Sequence, residues 1–243
     1  MAKGTHGHNA SLALETTSTD PHFALAADAD FAALIAPLGS IPGGPYDYAF
    51  VSQEASVAGN ITIGASLAAL NGIIATGNGK DSIDLSNSTG ANLILSGNGV
   101  DTVVGGAGND NISAGNGKDS ITGGADTGVF TVVTVVDPIS GLPTTTTTFT
   151  VGDVLTGGLG KDQFHFSATS GVDEITDFRL HQDQLVFHGI TQADLVAVTG
   201  TGSSSLVIGV SDGLGGTLAN TAIQVDGVTS LDQLLNSGSL LFV

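Results

Sequence analysis

The chain has 243 residues, of which 36 are glycine, and its 23 acidic residues against five basic ones give a formal net charge of -18 at pH 7. Such a charge repels phosphate and argues against nucleic acid as a partner. The absence of cysteine excludes disulfides and zinc–thiolate sites, and no apolar stretch is long enough to predict a membrane-spanning helix. The first eight residues lack the basic-then-apolar layout of a secretory signal, so we expect a cytosolic chain or one exported without an N-terminal leader.

Residues 1–57 form an N-terminal segment that matches no motif. We expect a mobile polar tail through residue 22, and then a short helix over 26–36 with Asp28 or Asp30 near its start, ended by Pro37. A strand is predicted over 46–51. Short strands over 57–75 would begin a solenoid, which needs a cap at each end.

A nine-residue repeat follows and determines the fold prediction. Asp101, Asp110 and Asp119 are spaced nine apart, as are Asp153 and Asp162, and each ends a glycine-rich run. The unit is G-G-x-G-x-D-x-U-x, in which U is a large apolar residue. The copies cover residues 76–84, 96–104, 105–113, 114–122 and 157–165. Hairpin turns alone would not recur at this fixed spacing with an apolar residue each time.

The spacing has a physical interpretation. The glycines permit turns that need positive φ, and the last three residues of each unit form a short strand whose middle residue points inward. These inward residues are Ile83, Val103, Ile112, Ile121, Leu155 and Phe164. If two units complete one coil, turns stack along each edge and their carboxylates lie about 4.8 Å apart. A hard cation that takes six to eight oxygen ligands relieves this repulsion, and Ca²⁺ suits a flexible cage better than Mg²⁺.

The repeat resembles the RTX family of calcium-binding nonapeptide repeats found in secreted proteins of Gram-negative bacteria. The resemblance implies an all-β fold, a right-handed parallel β-roll over residues 58–165, and about three to five Ca²⁺ ions, one for each stacked pair of intact turns. The implied ligands in the turns are Gly77, Gly79, Asp81, Asn92, Gly97, Gly99, Asp101, Gly106, Gly108, Asp110, Gly115, Gly117, Asp119, Asp153, Gly158, Gly160 and Asp162.

Because units alternate between the two edges of the roll, the edges can be assigned. One edge should carry Asp81, Asp101, Asp119 and Asp162. The other should carry Asn92, Asp110, Asp153 and Asp173. The unit that contains Asn92 is eleven residues long and has an amide where the pattern has Asp, so we expect a weak or empty site there.

An insertion over residues 127–151 interrupts one unit. Two runs rich in Val and Thr, over 129–136 and 144–151, flank a segment with two prolines and a glycine, which predicts a projecting β-hairpin. A tolerated surface loop is one interpretation. The other is a contact surface, because exposed strands with unpaired edges invite pairing with another molecule.

Residues 166–243 are predicted to be a β-rich C-terminal cap. They are similar to the region that closes the roll in RTX exoproteins, where acids often add a calcium site; this makes Asp173, Asp177 and Asp183 secondary ligand candidates. Strands are expected over 206–210 and 222–225. Ser230 and Gln233 form a capping box before a helical turn. The resemblance also implies that the apolar C-terminus is read by the type I secretion machinery; a final strand buried in the cap is the other interpretation.

Three hypotheses for function follow. The first is a secreted, non-enzymatic structural protein that folds on Ca²⁺ outside the cell and self-assembles, as a homo-oligomer or polymer, into an extracellular layer, fibre or biofilm matrix. The second is a calcium-dependent adhesin at the cell surface that binds polysaccharide. The third is a fragment or accessory domain of an RTX exoenzyme, although the sequence has none of the usual hydrolase or phosphate-binding motifs.

Overall fold

A computed structural model describes residues 11–14, 23–25, 27–28, 30–41, 44–52, 60–136, 143–198, 205–211 and 217–243. Most of the described elements are strands. In chain order they are β1 (Ser11–Leu14), β2 (Phe23–Leu25), β3 (Tyr48–Val51), β4 (Asn60–Ile63), β5 (Gly72–Ala75), β6 (Asn78–Gly79), β7 (Ser82–Asp84), β8 (Leu93–Leu95), β9 (Asn98–Gly99), β10 (Thr102–Gly106), β11 (Asn111–Ser113), β12 (Asn116–Gly117), β13 (Ser120–Gly124), β14 (Val129–Val136), β15 (Pro143–Thr150), β16 (Val154–Thr156), β17 (Leu159–Gly160), β18 (Gln163–Ser167), β19 (Val172–Ile175), β20 (Gln184–His188), β21 (Leu195–Val198), β22 (Ser205–Ser211), β23 (Thr217–Asp226) and β24 (Leu240–Phe242). The helices are α1 (Phe31–Ile35), α2 (Leu231–Ser237) and two 3-10 turns, Ala36–Leu38 and Gln192–Asp194.

Two long sheets face each other and are connected by the turns. One has the order β1-β4-β7-β10-β13-β18-β20-β24, and the other has the order β2-β3-β5-β8-β11-β16-β19-β23-β22-β21. Within the repeats every pair in these sheets is parallel, and partners lie two units apart: Val103 pairs with Ile83 on one side and with Ile121 on the other. The two-residue strands β6, β9, β12 and β17 stack separately in the turns. The predicted parallel β-roll is confirmed.

The core lies between the two sheets. All six residues predicted to point inward are at most 1% exposed and belong to one apolar cluster, which continues from Leu14 to Leu234. Fully burying a side chain of this size contributes about 1.5–3 kcal/mol relative to leaving it exposed. The core therefore runs without a break through the predicted boundary between roll and cap.

The N-terminal segment adds strands to both sheets. β1 pairs in parallel with β4, and Leu14 is fully buried, so the prediction of a mobile tail is wrong for Ser11–Leu14. Residues 1–10, 15–22 and 53–59, which include the predicted boundary at residue 57, lie outside the described residues. The predicted helix is present but short, because the 3-10 turn that holds Pro37 follows it directly.

The predicted hairpin is confirmed: β14 and β15 form an antiparallel pair. Its predicted turn, residues 137–142, lies outside the described residues. The base of the hairpin packs against the roll, since buried Phe130 clusters with Val172, Val207 and Ala222. Ala222 neighbours the inward-facing Ile223 along β23, so this small cluster covers the outer face of the sheet. The insertion is anchored at its base.

The C-terminal region extends both sheets. The strands predicted over 206–210 and 222–225 lie within β22 and β23, and β24 pairs in parallel with β20. The hydroxyl of Ser230 accepts from the amide of Gln233 (3.3 Å), as predicted, whereas the Gln233 side chain accepts from the amide of Thr229 (3.0 Å) and not from that of Ser230. Among the described residues, no helix is long and apolar enough to cross a membrane.

Candidate metal sites in the turns

Five aspartates form a ladder along one edge of the roll, which we call the regular edge: Asp81, Asp101, Asp119, Asp162 and Asp183. Each backbone amide donates to Oδ1 of the next aspartate in the ladder. The four distances, from Asp81 to Asp183, are 2.8, 2.8, 3.0 and 3.1 Å. All five side chains are buried. The amide donors fix each carboxylate within the stack. The four aspartates predicted for this edge lie on it, and Asp183, predicted only as a secondary ligand, is a fifth member.

A second ladder runs along the opposite edge, which we call the interrupted edge: Asn92, Asp110, Asp153 and Asp173. The amide of Asn92 donates to Oδ1 of Asp110 (2.8 Å), and the amide of Asp110 donates to Oδ1 of Asp153 (2.7 Å). The second bond joins residues on either side of the inserted hairpin. The insertion therefore leaves the ladder continuous, and Asp173 lies beside Asp153 at its end.

The second carboxylate oxygen of most ladder aspartates accepts no hydrogen bond, although it is buried. This holds for Oδ2 of Asp101, Asp110, Asp119, Asp153 and Asp162, and for both carboxylate oxygens of Asp173. Burying an unpaired polar atom is unfavourable, and burying an unpaired charge is more so. Rows of oxygen ligands of this kind fit a hard divalent cation such as Ca²⁺. The carboxylates of these aspartates therefore fit a divalent cation, and the full set of predicted calcium ligands stays a prediction.

The electrostatics of the ladders agree with this fit. Burial raises the pKa of Asp110 and of Asp119 to about 6, and neighbouring carboxylates add to the rise. Burial also raises the pKa of Asp153 and of Asp173; the charges of Asp110 and Asp126 add to the rise at Asp153, and those of Asp153 and Asp126 add to the rise at Asp173. A divalent cation beside these groups would reverse the effect, because an opposite charge favours the ionised form.

The glycines of the turns allow the coils to stack in close contact. The carbonyl of Gly77 accepts from the amide of Asn98 (2.7 Å), and that of Gly97 accepts from the amide of Asn116 (2.8 Å). Gly97 has a φ of 98°, and a Cβ there would lie 1.9 Å from the carbonyl oxygen of Gly77. Only glycine fits such a position. The other predicted glycines occupy the same turns, and their role as carbonyl ligands stays a prediction.

Asn92 places an amide group where the other units of the ladders have a carboxylate. Its Nδ2 donates to Oγ of Ser88 (3.0 Å), to the carbonyl of Gly90 (2.9 Å) and to Oδ1 of Asp110 (2.9 Å). Its Oδ1 accepts from the amide of Gly72 (3.2 Å). Oxygen atoms that would surround an ion are therefore already paired with a protein donor. This agrees with the expectation of a weak or empty site.

The regular edge ends at Asp183, near Arg179. The side chain of Arg179 donates to the carbonyl of Gly158, and that of Gln182 donates to the carbonyl of Gly160. Oδ2 of Asp183 accepts from the amide of Arg179 (2.8 Å), so both oxygens of this carboxylate have donors.

Asp177 also has protein donors on both oxygens, the amides of Gly157 (2.9 Å) and Gly158 (2.7 Å). Asp177 and Asp183 are thus held by backbone amides, and their role as secondary ligands stays a prediction.

Asp126 joins the interrupted edge and was not among the predicted ligands. One oxygen of its carboxylate lies within 4.8 Å of a carboxylate oxygen of Asp153 and of one of Asp173. A signal was present in the sequence, since Asp126 stands in the fourth position of its unit, where the two preceding units have Gly108 and Gly117.

Comparison with known proteins gave three findings. The family model described as the RTX calcium-binding nonapeptide repeat, in 4 copies, matches residues 95–130. No curated protein matches the chain. Among solved structures, the crystal structure of the extracellular lipase LipA from Serratia marcescens is similar at 13% identity and a TM-score of 0.29, covering 79% of this chain. The chain spans 40% of the length of that lipase. The family match and the parallel sheets together show that the chain carries RTX calcium-binding repeats and that they fold as a parallel β-roll.

Proposed function

We propose that this chain is a secreted structural protein that folds when Ca²⁺ binds outside the cell and then assembles with copies of itself into an extracellular layer, fibre or biofilm matrix. The proposal assigns no catalytic role to the chain. The observation that carries it is the pair of buried aspartate ladders, in which the interior Oδ2 atoms from Asp101 to Asp162 have no protein donor.

The folding step follows from the energetics of the ladders. Where Ca²⁺ is scarce, the stacked carboxylates repel one another and the compact roll is disfavoured. Where Ca²⁺ is abundant, an ion that binds only the folded state adds its binding free energy to folding, about 2.7 kcal/mol per site at a concentration 100 times its Kd. Several such sites in one continuous core would make folding cooperative in calcium.

This calcium dependence also supports export. A chain that stays unfolded in the calcium-poor cytosol can be threaded through a secretion channel, and it folds once it meets external calcium. We therefore propose the type I secretion machinery as a partner during export, and the extracellular space or the cell surface as the destination. RTX repeats, which the chain carries over residues 95–130, are typical of proteins exported in this way.

The inserted hairpin is the surface we propose for assembly. β14 and β15 each have eight residues, and they form a two-stranded sheet of their own. Neither strand contains a charged residue, and the one proline, Pro143, is the first residue of β15, so the rest of both strands has no such protection. Natural sheets usually protect an exposed edge with charge or proline, and an unprotected edge can accept a strand from another molecule. The partner we propose is the same hairpin of a second copy.

Circular dichroism with and without a chelator tests the folding step. We expect a β-sheet spectrum and a cooperative melting transition in millimolar Ca²⁺, and loss of both in EGTA, with Mg²⁺ as the control that does not restore them. A chelated sample that keeps the full spectrum and the same melting temperature would overturn the proposal.

Analytical ultracentrifugation tests the assembly step. We expect large species in Ca²⁺ and none in EGTA. In a shortened variant, Asn-Gly replaces residues 133–146. The paired residues 132 and 147 are then joined by a two-residue turn, and the anchors Phe130 and Phe149 are kept. This variant should fold in Ca²⁺ and remain monomeric.

A second variant keeps the length of the hairpin and charges it. Thr134→Lys with Thr145→Glu places opposite charges on paired residues, which supports the hairpin while protecting its edges. Polymers from either variant would contradict the hairpin as the contact. A wild-type protein that stays monomeric in Ca²⁺ would contradict assembly and favour the calcium-dependent adhesin that binds cell-surface polysaccharide.

A further inference from the structure

The junction between the roll and the inserted hairpin contains an acid that the other repeat units lack. Asp126 stands at the fourth position of its unit, where the unit stacked beside it on the same edge (residues 105–113) has Gly108, and the hairpin begins three residues later at Val129. The interrupted unit resumes at Gly152 and Asp153 on the far side of the hairpin. The acid therefore stands directly before the insertion and departs from the regular pattern.

Three carboxylates converge at this junction. Asp126, Asp153 and Asp173 each offer one oxygen, and these oxygens all lie within 4.8 Å of one another. Ca²⁺ binds oxygen ligands at 2.3–2.6 Å, so two ligands on opposite sides of one ion are at most about 5 Å apart. The spacing is therefore compatible with a single ion held by all three residues.

Asp173 provides an independent sign that a ligand belongs here. Its side chain is 1% exposed, and neither of its carboxylate oxygens accepts a hydrogen bond. Asp153 is fully buried, and its Oδ2 also has no hydrogen-bond partner. Buried polar groups are almost always paired, so three buried oxygens without a protein donor in one place indicate a ligand such as a cation.

The third carboxylate is held in position by the chain around it. Oδ1 of Asp126 accepts from the amide of Gly128 (2.7 Å), and Oδ2 accepts from the amide of Val172 (2.8 Å). A Cβ at Gly152 would lie 1.9 Å from Cγ of Asp126, and one at Gly171 would lie 2.4 Å from it. Two glycines therefore make room for this side chain. The amide of Asp153 also donates to this carboxylate, so three of its roughly four acceptor sites are used and one remains for a cation.

We propose that Asp126, Asp153 and Asp173 bind a Ca²⁺ ion that fixes the inserted hairpin to the roll. Only the identity of the ion rests on the proposed function. Asp126 precedes β14, and its partner Val172 begins β19 and packs against Phe130 at the base of the hairpin. An ion at this place joins the hairpin to the end of the interrupted edge. The orientation of the hairpin then depends on calcium separately from the folding of the roll.

Asp126→Asn and Asp126→Gly test the proposal. The first is isosteric, and the second restores the residue type that stands at this position in the preceding unit. Both variants should bind one Ca²⁺ ion fewer than the wild type, counted by native mass spectrometry of the calcium-loaded protein, and both should keep the β-sheet spectrum in Ca²⁺. Hydrogen exchange in β14 and β15 should become about tenfold faster, while exchange in β7, β10 and β13 is unchanged.

Asp30→Asn is the matched control, because it removes the same charge from an exposed aspartate whose side chain makes no capping hydrogen bond. It should leave both the ion count and the exchange rates at wild-type values. An Asp126 variant that binds as many ions as the control, or that leaves exchange in the hairpin unchanged, overturns the inference. If the wild type binds no Ca²⁺ at all, the proposed function fails instead, so the two failures are distinguishable.

Discussion

The two edges of the roll repeat one hydrogen-bond pattern but end differently. On the regular edge the last carboxylate, Asp183, accepts from two backbone amides and lies near Arg179. On the interrupted edge the last carboxylate, Asp173, has no hydrogen-bond partner on either oxygen and lies beside two further acids. One ladder thus ends at a protein cation, and the other ends at a cluster of like charges.

This difference shows two solutions to a single electrostatic problem. Stacked turns concentrate buried carboxylates, and each row needs positive charge or hydrogen-bond donors. At Asn92 and Arg179 the chain supplies its own donors. At the interior positions and at Asp173 it does not, so these positions depend on an external cation. The protein should therefore be most sensitive to calcium and to substitution near Asp153 and Asp173.

Asp153→Ala should have the largest effect. It removes an acceptor for the buried amide of Asp110 together with two carboxylate oxygens of the interrupted edge. An unsatisfied buried donor alone destabilises by about 1–3 kcal/mol, and the loss of an ion adds to this. The calcium concentration at the folding midpoint, followed by circular dichroism, should rise by at least about tenfold, which corresponds to 1.4 kcal/mol.

The control for this variant is Asp232→Ala, which removes an exposed aspartate in the first turn of α2. Its calcium midpoint should stay close to that of the wild type. Equal midpoints for the two variants would mean that the interrupted edge does not control folding.

Lowering the pH should partly replace calcium. The folded-state pKa of Asp110 and of Asp119 is about 6, above the ordinary value of 3.8, mainly because both groups are buried. Between these two values the folded state binds more protons than the unfolded state, so stability falls as the pH rises through this window. A chelated sample should gain β structure on acidification from pH 7 to about pH 5.

As the pH falls through the same window, the chelated protein becomes more stable, but its affinity for calcium should weaken. Protons compete with the ion for the same carboxylates, so the affinity should weaken as the pH falls below about 6. Calorimetric titrations at several pH values measure this. A calcium affinity independent of pH would show that the ladder aspartates are not the ligands.

Much of the fold follows from local pattern, whereas the ends of the ladders do not. The nine-residue spacing predicts the alternation of units between edges, and the Val- and Thr-rich runs predict the hairpin, because both are properties of neighbouring residues. The strand Ser11–Leu14 was missed, since it is stabilised by pairing with β4 and by burial of Leu14 rather than by its own sequence. The donors from Arg179 and Gln182 depend on contacts that the repeat pattern does not contain.

The candidate metal site likewise follows only in part from the local repeat pattern. The repeat marks the sixth position of each unit as the ligand, and this led to the ladder aspartates. Asp126 stands at the fourth position, and it reaches Asp153 and Asp173 only because the chain leaves the roll for the hairpin and returns at Gly152. A ligand that is assembled across an insertion has no fixed spacing from its partners.

Asn92→Asp should make the interrupted edge more like the regular one, and its effect on calcium binding should be moderate. The change removes the Nδ2 donor to Gly90 and to Asp110 and adds a buried negative charge beside Asp110. In Ca²⁺ the variant should bind one more ion than the wild type, counted by native mass spectrometry. An unchanged ion count would contradict the view that this amide takes the place of a cation.

Arg179→Gln should have the smallest effect, because Arg179 is partly exposed and acts at the end of the regular edge. The change leaves the carbonyl of Gly158 without its charged donor and removes a positive charge that lowers the pKa of Asp162 and Asp183. We expect a loss of about 1 kcal/mol in unfolding free energy, measured by urea denaturation in Ca²⁺. Arg179→Lys keeps the charge and should lose less than the glutamine variant. If both variants lose equally, the geometry of the guanidinium and not its charge stabilises the end of the ladder.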